Sequence, residues 1–238
     1  MTKKFPPCRC VHCLEHCDDP TSDHVFPQAW YPETTPENLK KWQIPSCKKC
    51  NSEYSKIEDD LLQRFGMCVD PLGYAARGVA DKALRAVNPD HGRDEGDKEH
   101  RFRTRFKIIE SLIPCERIDY RALLPSRGPL PSYEGQIGIL IPSEPLKRMG
   151  EKFIRGITFV VDNLYVEKDH EVDLFFVHEI NAQEIVCLLR QHGKRYDRGP
   201  GIVIERAPVP DDLQSGLYYI EIWNKLYMYG TVTPRTEC

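Results

Sequence analysis

The sequence predicts an α+β protein of two unlike parts, a small cysteine-organised N-terminal unit and a mostly antiparallel α+β C-terminal domain. Three observations carry this. Six of the ten cysteines fall within the first fifty residues, four of them as the pairs Cys10-Val-His-Cys13 and Cys47-Lys-Lys-Cys50. Residues 51–65 repeat apolar side chains at helical spacing (Tyr54, Ile57, Leu61, Phe65) and stop at Gly66. Beyond Pro131 the apolar period shifts from helical to strand-like. The division this gives is residues 1–66 for the metal-organised unit, 67–131 for a helical connecting region and 132–238 for the strand-rich domain.

The elements follow in order. Ser22–Trp30 is short, β-branched and aromatic, suiting one arm of a hairpin, and Tyr31–Pro45, rich in Pro, Glu, Thr and Lys, reads as an exposed loop. Asn51 stands at or near the start of the helix that runs to Phe65. Gly73–Val87 forms a second helix, ended by Asn88-Pro89. Pro89–Asp97 reads as a flexible connection, and Lys98–Ile113 as a third helix with Phe102, Phe106, Ile109 and Ile113 on one face. Pro114–Pro131 is proline-rich and irregular. Strands are expected at 136–141, 156–166, 172–178, 201–207, 217–223 and 226–232, with Trp223-Asn224-Lys225-Leu226 as a tight turn. One helix interrupts them at Asn181–Gln191, with Asn181 as N-cap, Glu184 as capping-box partner and Gly193 as the stop.

A chain of 238 residues buries a sizeable core. No apolar run approaches the roughly 20 residues of a membrane helix. The opening Met-Thr-Lys-Lys-Phe-Pro-Pro-Cys has no apolar stretch of a secretory signal, which makes the reducing cytoplasm the expected compartment. There, clustered cysteines argue for metal ligation rather than disulfides, while Cys68, Cys115, Cys187 and Cys238, scattered singly, read as ordinary thiols. The net charge of −3 excludes a globally basic nucleic-acid binder, so any polyanion would have to meet a local patch.

Two C-x2-C knuckles supply four thiolates to one tetrahedral Zn2+, here Cys10, Cys13, Cys47 and Cys50. His12 and His16 lie among Cys8, Cys10, Cys13 and Cys17, so mixed quartets compete, with the two paired knuckles preferred. A zinc so placed would hold the dipeptide Asp23-His24 at a fixed distance from Asn51.

With Asp23-His24-Val25-x-Pro27 between the knuckles, Pro45-x-Cys47-x2-Cys50-Asn51 after them, and Lys56 and Glu58 beyond, the first quarter of the chain resembles the HNH, or His-Me finger, endonucleases in their zinc-stapled form. The resemblance implies a ββα-metal, treble-clef-like unit and a metal-dependent endonuclease acting on nucleic acid, DNA favoured. Phosphodiester hydrolysis needs a base to activate water and a divalent cation to neutralise developing charge. His24, with an ordinary pKa near ~6.5, suits the base. Asp23 and Asn51 offer hard oxygens to Mg2+ or another divalent cation. Lys48, Lys49 and Lys56 are candidates for phosphate contact. Many family members carry His where this chain has Asn51, and the family's middle Asn has no assigned counterpart: Asn38 is nearest, while spacing selects Trp42 or Gln43.

Competing readings stand beside these. Glu58 shares the helix face of Asn51 as a further ligand or a solvated charge. The run His100–Lys107 either touches phosphates or is the solvated face of a helix whose Phe102 and Phe106 are core; the second is preferred. The strand-rich domain shows no catalytic signature and is open to substrate selection, homodimer formation or regulation. From another class, the whole is a non-catalytic treble-clef zinc module that binds nucleic acid or protein.

Overall fold

The computed structural model describes residues 4–119, 122–126 and 136–235. Two short antiparallel pairs come first: β1 (Cys8–Arg9) with β2 (His16–Cys17), and β3 (Thr21–His24) with β4 (Gln43–Ser46). The second pair sets Asp23 opposite Ile44 and His24 opposite Gln43. Helix α1 (Lys48–Gly66) follows directly. It begins three residues before Asn51 because Cys47, in extended conformation, caps it, its sulfur accepting the Cys50 N–H at 3.3 Å.

Helices α2 (Val79–Val87) and α3 (Glu95–Glu110) come next, then the pair β5 (Leu112–Pro114) and β6 (Ile137–Ile139), and the long helix α4 (Ser143–Asp162). Strand β7 (His170–Phe175), helix α5 (Gln183–His192) and strands β8 (Lys194–Asp197), β9 (Ile202–Val209), β10 (Asp212–Ile222) and β11 (Leu226–Pro234) complete the described chain. These strands form one antiparallel sheet in the order β7-β11-β10-β9-β8. The three-residue connection Trp223–Lys225 between β10 and β11 has positive φ at both Trp223 (58°) and Asn224 (51°), and the Lys225 N–H closes it on the Ile222 carbonyl at 3.1 Å.

The period-2 alternation of the sheet sorts its side chains. Tyr218, Ile220, Ile222, Ile204 and Met228 face the main core with α4 and α1, while Tyr219, Tyr227 and Tyr229 face α5 in a smaller cluster. The main core draws on every part of the chain: Val25, Phe26, Ile44, Leu61 and Phe65 pack in the same cluster as Val79, Phe153, Ile157 and Tyr218. Trp30 sits at the junction, its ring 5.4 Å from Trp223, 5.9 Å from Phe153 and 6.1 Å from Phe65, and Trp223 Nε1 donates to the Trp30 carbonyl at 2.7 Å.

Several expectations need correction. The strand expected over 156–166 lies largely in α4. Its run Ile157-Thr-Phe-Val-Val161 is apolar enough for either element, but Leu146, Met149, Phe153 and Ile157 complete a buried helical stripe, and the helix stops at Asn163 in the left-handed region (φ 57°). The loop expected over Tyr31–Pro45 contains the start of β4, and Tyr31 is buried. The connection Pro89–Asp97 is ordered by capping: the Asn88 side chain accepts from Asp90 N, and Asp94 from Asp97 N, so α3 starts at Glu95. On α3 it is Ile108 that is buried, whereas Phe102, Phe106 and Ile109 are each about half exposed, so the preferred core placement of the two phenylalanines does not hold. Asn181 ends a 3-10 turn, and α5 starts after Ala182 without a side-chain cap. Strand β8 lies between the strands expected at 172–178 and 201–207, in a segment assigned to neither. Within the proline-rich stretch Pro114–Pro131, residues 120–121 and 127–131 lie outside the described residues.

Candidate functional site

The sulfurs of Cys10, Cys13, Cys47 and Cys50 all lie within 4.8 Å of one another, with Cys13 and Cys47 at 3.9 Å. Tetrahedral zinc thiolate with bonds near ~2.3 Å requires sulfur separations of about 3.8 Å. The four cysteines therefore form a cluster that could hold a metal ion and is compatible with structural zinc.

Local structure explains how they meet. Leu14, at positive φ (65°), turns the first knuckle so that its N–H reaches the Cys10 carbonyl at 2.9 Å, and Val11 N donates to the Pro45 carbonyl, seating the knuckle on β4. The second knuckle is the cap and first turn of α1, where free N–H groups favour thiolates. Hydrogen bonding from the Cys50 thiol lowers the Cys10 pKa below the ordinary thiol range against the effect of burial, with backbone N–H groups adding to the lowering. Cys8 and Cys17 face each other across β1 and β2 but lie outside the four-sulfur group. Burial and the neighbouring cysteines push Cys17 up to about 11 and raise Cys8. His16 lies 3.4 Å from Asp18, and His12 turns toward Asp23.

Beside the sulfurs lies a buried ionic cluster. Asp23 is 5% exposed. Its Oδ2 meets His12 Nε2 at 2.9 Å, and its Oδ1 accepts from Lys152 Nζ at 2.8 Å. Lys152 is fully buried and also donates to Glu58 Oε1. The Tyr54 ring roofs the group, with the His12 ring at 4.5 Å and the Lys152 ammonium at 5.3 Å. Burial would lift the Asp23 carboxyl, but the His12 hydrogen bond and the Lys152 charge outweigh it, and the net direction is down. At Glu58 burial dominates and the net direction is up.

The remaining predicted residues divide between the two faces of the hairpin. Asn51 Nδ2 donates to Thr21 Oγ1 at 3.0 Å. The Thr21 hydroxyl proton is committed to the Ser46 carbonyl at 2.8 Å, so Asn51 must present its NH2 here and keeps its carboxamide oxygen for another partner. Thr21 and Asp23 share one face of β3, about 7 Å apart by strand geometry, which brings Asn51 to the Asp23 side. His24 projects from the other face, where its Nε2 lies 3.0 Å from Nε2 of Gln43. Burial lowers the His24 pKa against the opposing pull of Asp23, with Lys41 and Lys152 adding to the lowering. Lys48, Lys49 and Lys56 are exposed along α1, Lys48 in an ion pair with Asp19 at 3.2 Å. On α3, Arg101 is tied to Asp97 and to the Arg85 carbonyl, and Arg103 pairs with Glu99.

Sequence reasoning missed Lys152 and the partnership of His12 with Asp23. The signal for Lys152 was a charged residue inside the apolar stripe Met149, Phe153, Gly156, Ile157, and it becomes visible only when the segment is read as helix.

Compared with known proteins, the chain matches no family model, no curated protein and no solved structure. No helix among the described residues is long and apolar enough to cross a membrane.

Proposed function

We propose that the β3–β4–α1 unit is the centre of a metal-dependent endonuclease of the HNH type, hydrolysing phosphodiester bonds in nucleic acid, with DNA the favoured substrate. The observation that carries this reading is the juxtaposition at the four-cysteine cluster: the hairpin bearing Asp23-His24 lies against the start of α1, with Asn51 joined to Thr21 on the Asp23 face. Asp23, Asn51 and Glu58 form a donor set of hard oxygens, the chemistry that suits Mg2+ or a similar cation. Two of the roughly four lone-pair positions on the Asp23 carboxylate are used by His12 and Lys152. A divalent ion there would neutralise charge developing on phosphate and on the leaving 3′ oxygen. His24, its pKa lowered by burial, is neutral at pH 7 and suited to take a proton from water, leaving 5′ phosphate and 3′ hydroxyl ends. Lys48, Lys49 and Lys56 would meet the backbone phosphates.

The test is incubation of plasmid and RNA with Mg2+, Mn2+ or Ni2+, comparing wild type with His24→Ala. Cleavage lost in the variant while zinc content and folding persist supports the reading. An inactive wild type across these metals and substrates removes it.

One observation favours a second reading, a non-catalytic zinc module that binds nucleic acid or protein. Both Asp23 oxygens already have partners, and His24 projects from the opposite strand face. Metal content separates the two. The enzyme holds one tight Zn2+ and a weaker, exchangeable divalent ion lost in Asp23→Ala, whereas the module holds the zinc alone.

A further inference from the structure

The fully buried Lys152 comes from α4, outside the cysteine-organised unit, yet its ammonium lies between Asp23 and Glu58, two of the oxygen donors assigned above to a divalent cation. A buried ammonium is kept only where anions compensate it. Here two carboxylates face one ammonium, so the pair holds a negative charge in excess, with His12 hydrogen-bonded on the far oxygen of Asp23. The lysine is also rigidly presented. One turn further along α4, Gly156 lies against Val25 and Ile44 of the hairpin, so the helix cannot draw back without opening that packing.

We propose that Lys152 is a tethered counter-ion competing with the divalent cation for Asp23, a positioning residue through which the C-terminal part of the chain sets the metal affinity of the site. The inference rests on the hydrolase reading for the identity of the cation site. A metal ion on Asp23 competes with the ammonium for the charge of that carboxylate even where it takes an unused lone pair, and Glu58 is the second carboxylate the ammonium contacts. The like charges of ammonium and metal ion, a few ångströms apart in a poorly solvated site, oppose each other strongly.

The experiment uses the full zinc-loaded chain and Mn2+ alone as probe, with free Mn2+ followed by electron paramagnetic resonance. Lys152→Met should bind one Mn2+ per chain beyond the zinc, at least roughly tenfold more tightly than wild type. Adding Asp23→Asn should remove that gain. Equal affinities in wild type and a folded Lys152→Met, or a gain that survives Asp23→Asn, would overturn the proposal. Lys152→Gln, which keeps a hydrogen-bond donor without the charge, replaces the Met variant should that one fail to fold. In wild type, saturating Mg2+ should raise the reactivity of Lys152 toward reductive methylation, read by mass spectrometry, and unchanged protection also overturns the role. Tighter Mn2+ binding without cleavage of plasmid or RNA keeps the counter-ion and removes the hydrolase. Cleavage lost in His24→Ala together with equal Mn2+ affinities in wild type and Lys152→Met does the reverse.

Discussion

Gly156 of α4 touches Val25 at the end of the β3–β4 hairpin so closely that a Cβ placed on it would lie 2.9 Å from Val25 Cγ2 and 3.1 Å from Cγ1. This contact sets the distance between the helix that carries Lys152 and the strand that carries Asp23. Gly156→Val should therefore destabilise the fold by about 1–3 kcal/mol, the usual cost of overpacking a filled core. Thermal unfolding measures it. An unchanged midpoint would mean the hairpin and helix can part without cost.

The sulfur cluster should bind one zinc per chain, detected by elemental analysis. Its removal by chelator, or by Cys10→Ser with Cys47→Ser, should unfold the N-terminal strands, because β1, β2, β3 and β4 are two to four residues long and have little core of their own. Loss of hydrogen-exchange protection at Val11 and Val25 would report it, since both amides donate across this region to Pro45 and Trp42 carbonyls.

Asp23→Asn keeps the shape of the side chain but leaves Lys152 with one carboxylate instead of two. Breaking a buried ion pair on one side costs about 3–5 kcal/mol. Denaturant unfolding should show a loss of that order, partly offset by the Glu58 contact that remains. A loss near zero would mean that Lys152 gains little from Asp23.

Away from the site, His170 is held between Asp169 (2.8 Å) and Asp212 (2.9 Å), with Ser215 and the Gln214 N–H also on Asp212. Burial pushes the imidazole pKa down, but the hydrogen bonds to the two carboxylates outweigh it and the net direction is up. A raised pKa stabilises the fold fully below the unfolded value of about 6.5 and loses that contribution as pH rises through the folded value. Asp212, lowered to about 2 chiefly by the Ser215 hydroxyl and His170, contributes above its unfolded value near 3.9 and loses it as pH falls toward 2. The lock between the β9–β10 turn and β7 is therefore complete from about pH 4 to 6.5. Melting temperature should fall from pH 6 to pH 8 in wild type, and His170→Gln should flatten that slope. Parallel slopes in the two proteins would exclude the lock.

Much of this was legible in the residues. The two C-x2-C pairs, the helix after Cys47, the strands from 201 onward and the Trp223-Asn224 turn depend on local spacing, capping and backbone preference, which the chain carries wherever it folds. The helix α4 was not legible, because an apolar run such as Ile157–Val161 satisfies a strand and a buried helix alike until its partners are known. The exposed aromatic face of α3 was hidden for the same reason: periodicity says that Phe102, Phe106 and Ile109 share a side, not that this side is covered.

By itself, then, the sequence determined which atoms are available at the site: four sulfurs at knuckle spacing, an imidazole beside a carboxylate, and an amide at the start of a helix. Tertiary structure alone decided what each one faces. It turned Asp23 inward onto His12 and a lysine 129 residues away in the chain, and it set His24 beside Gln43 on the other side of the strand. The reason is that covalent spacing constrains neighbours within a turn or two, whereas the partner of a buried charge is chosen by which distant helix packs over it.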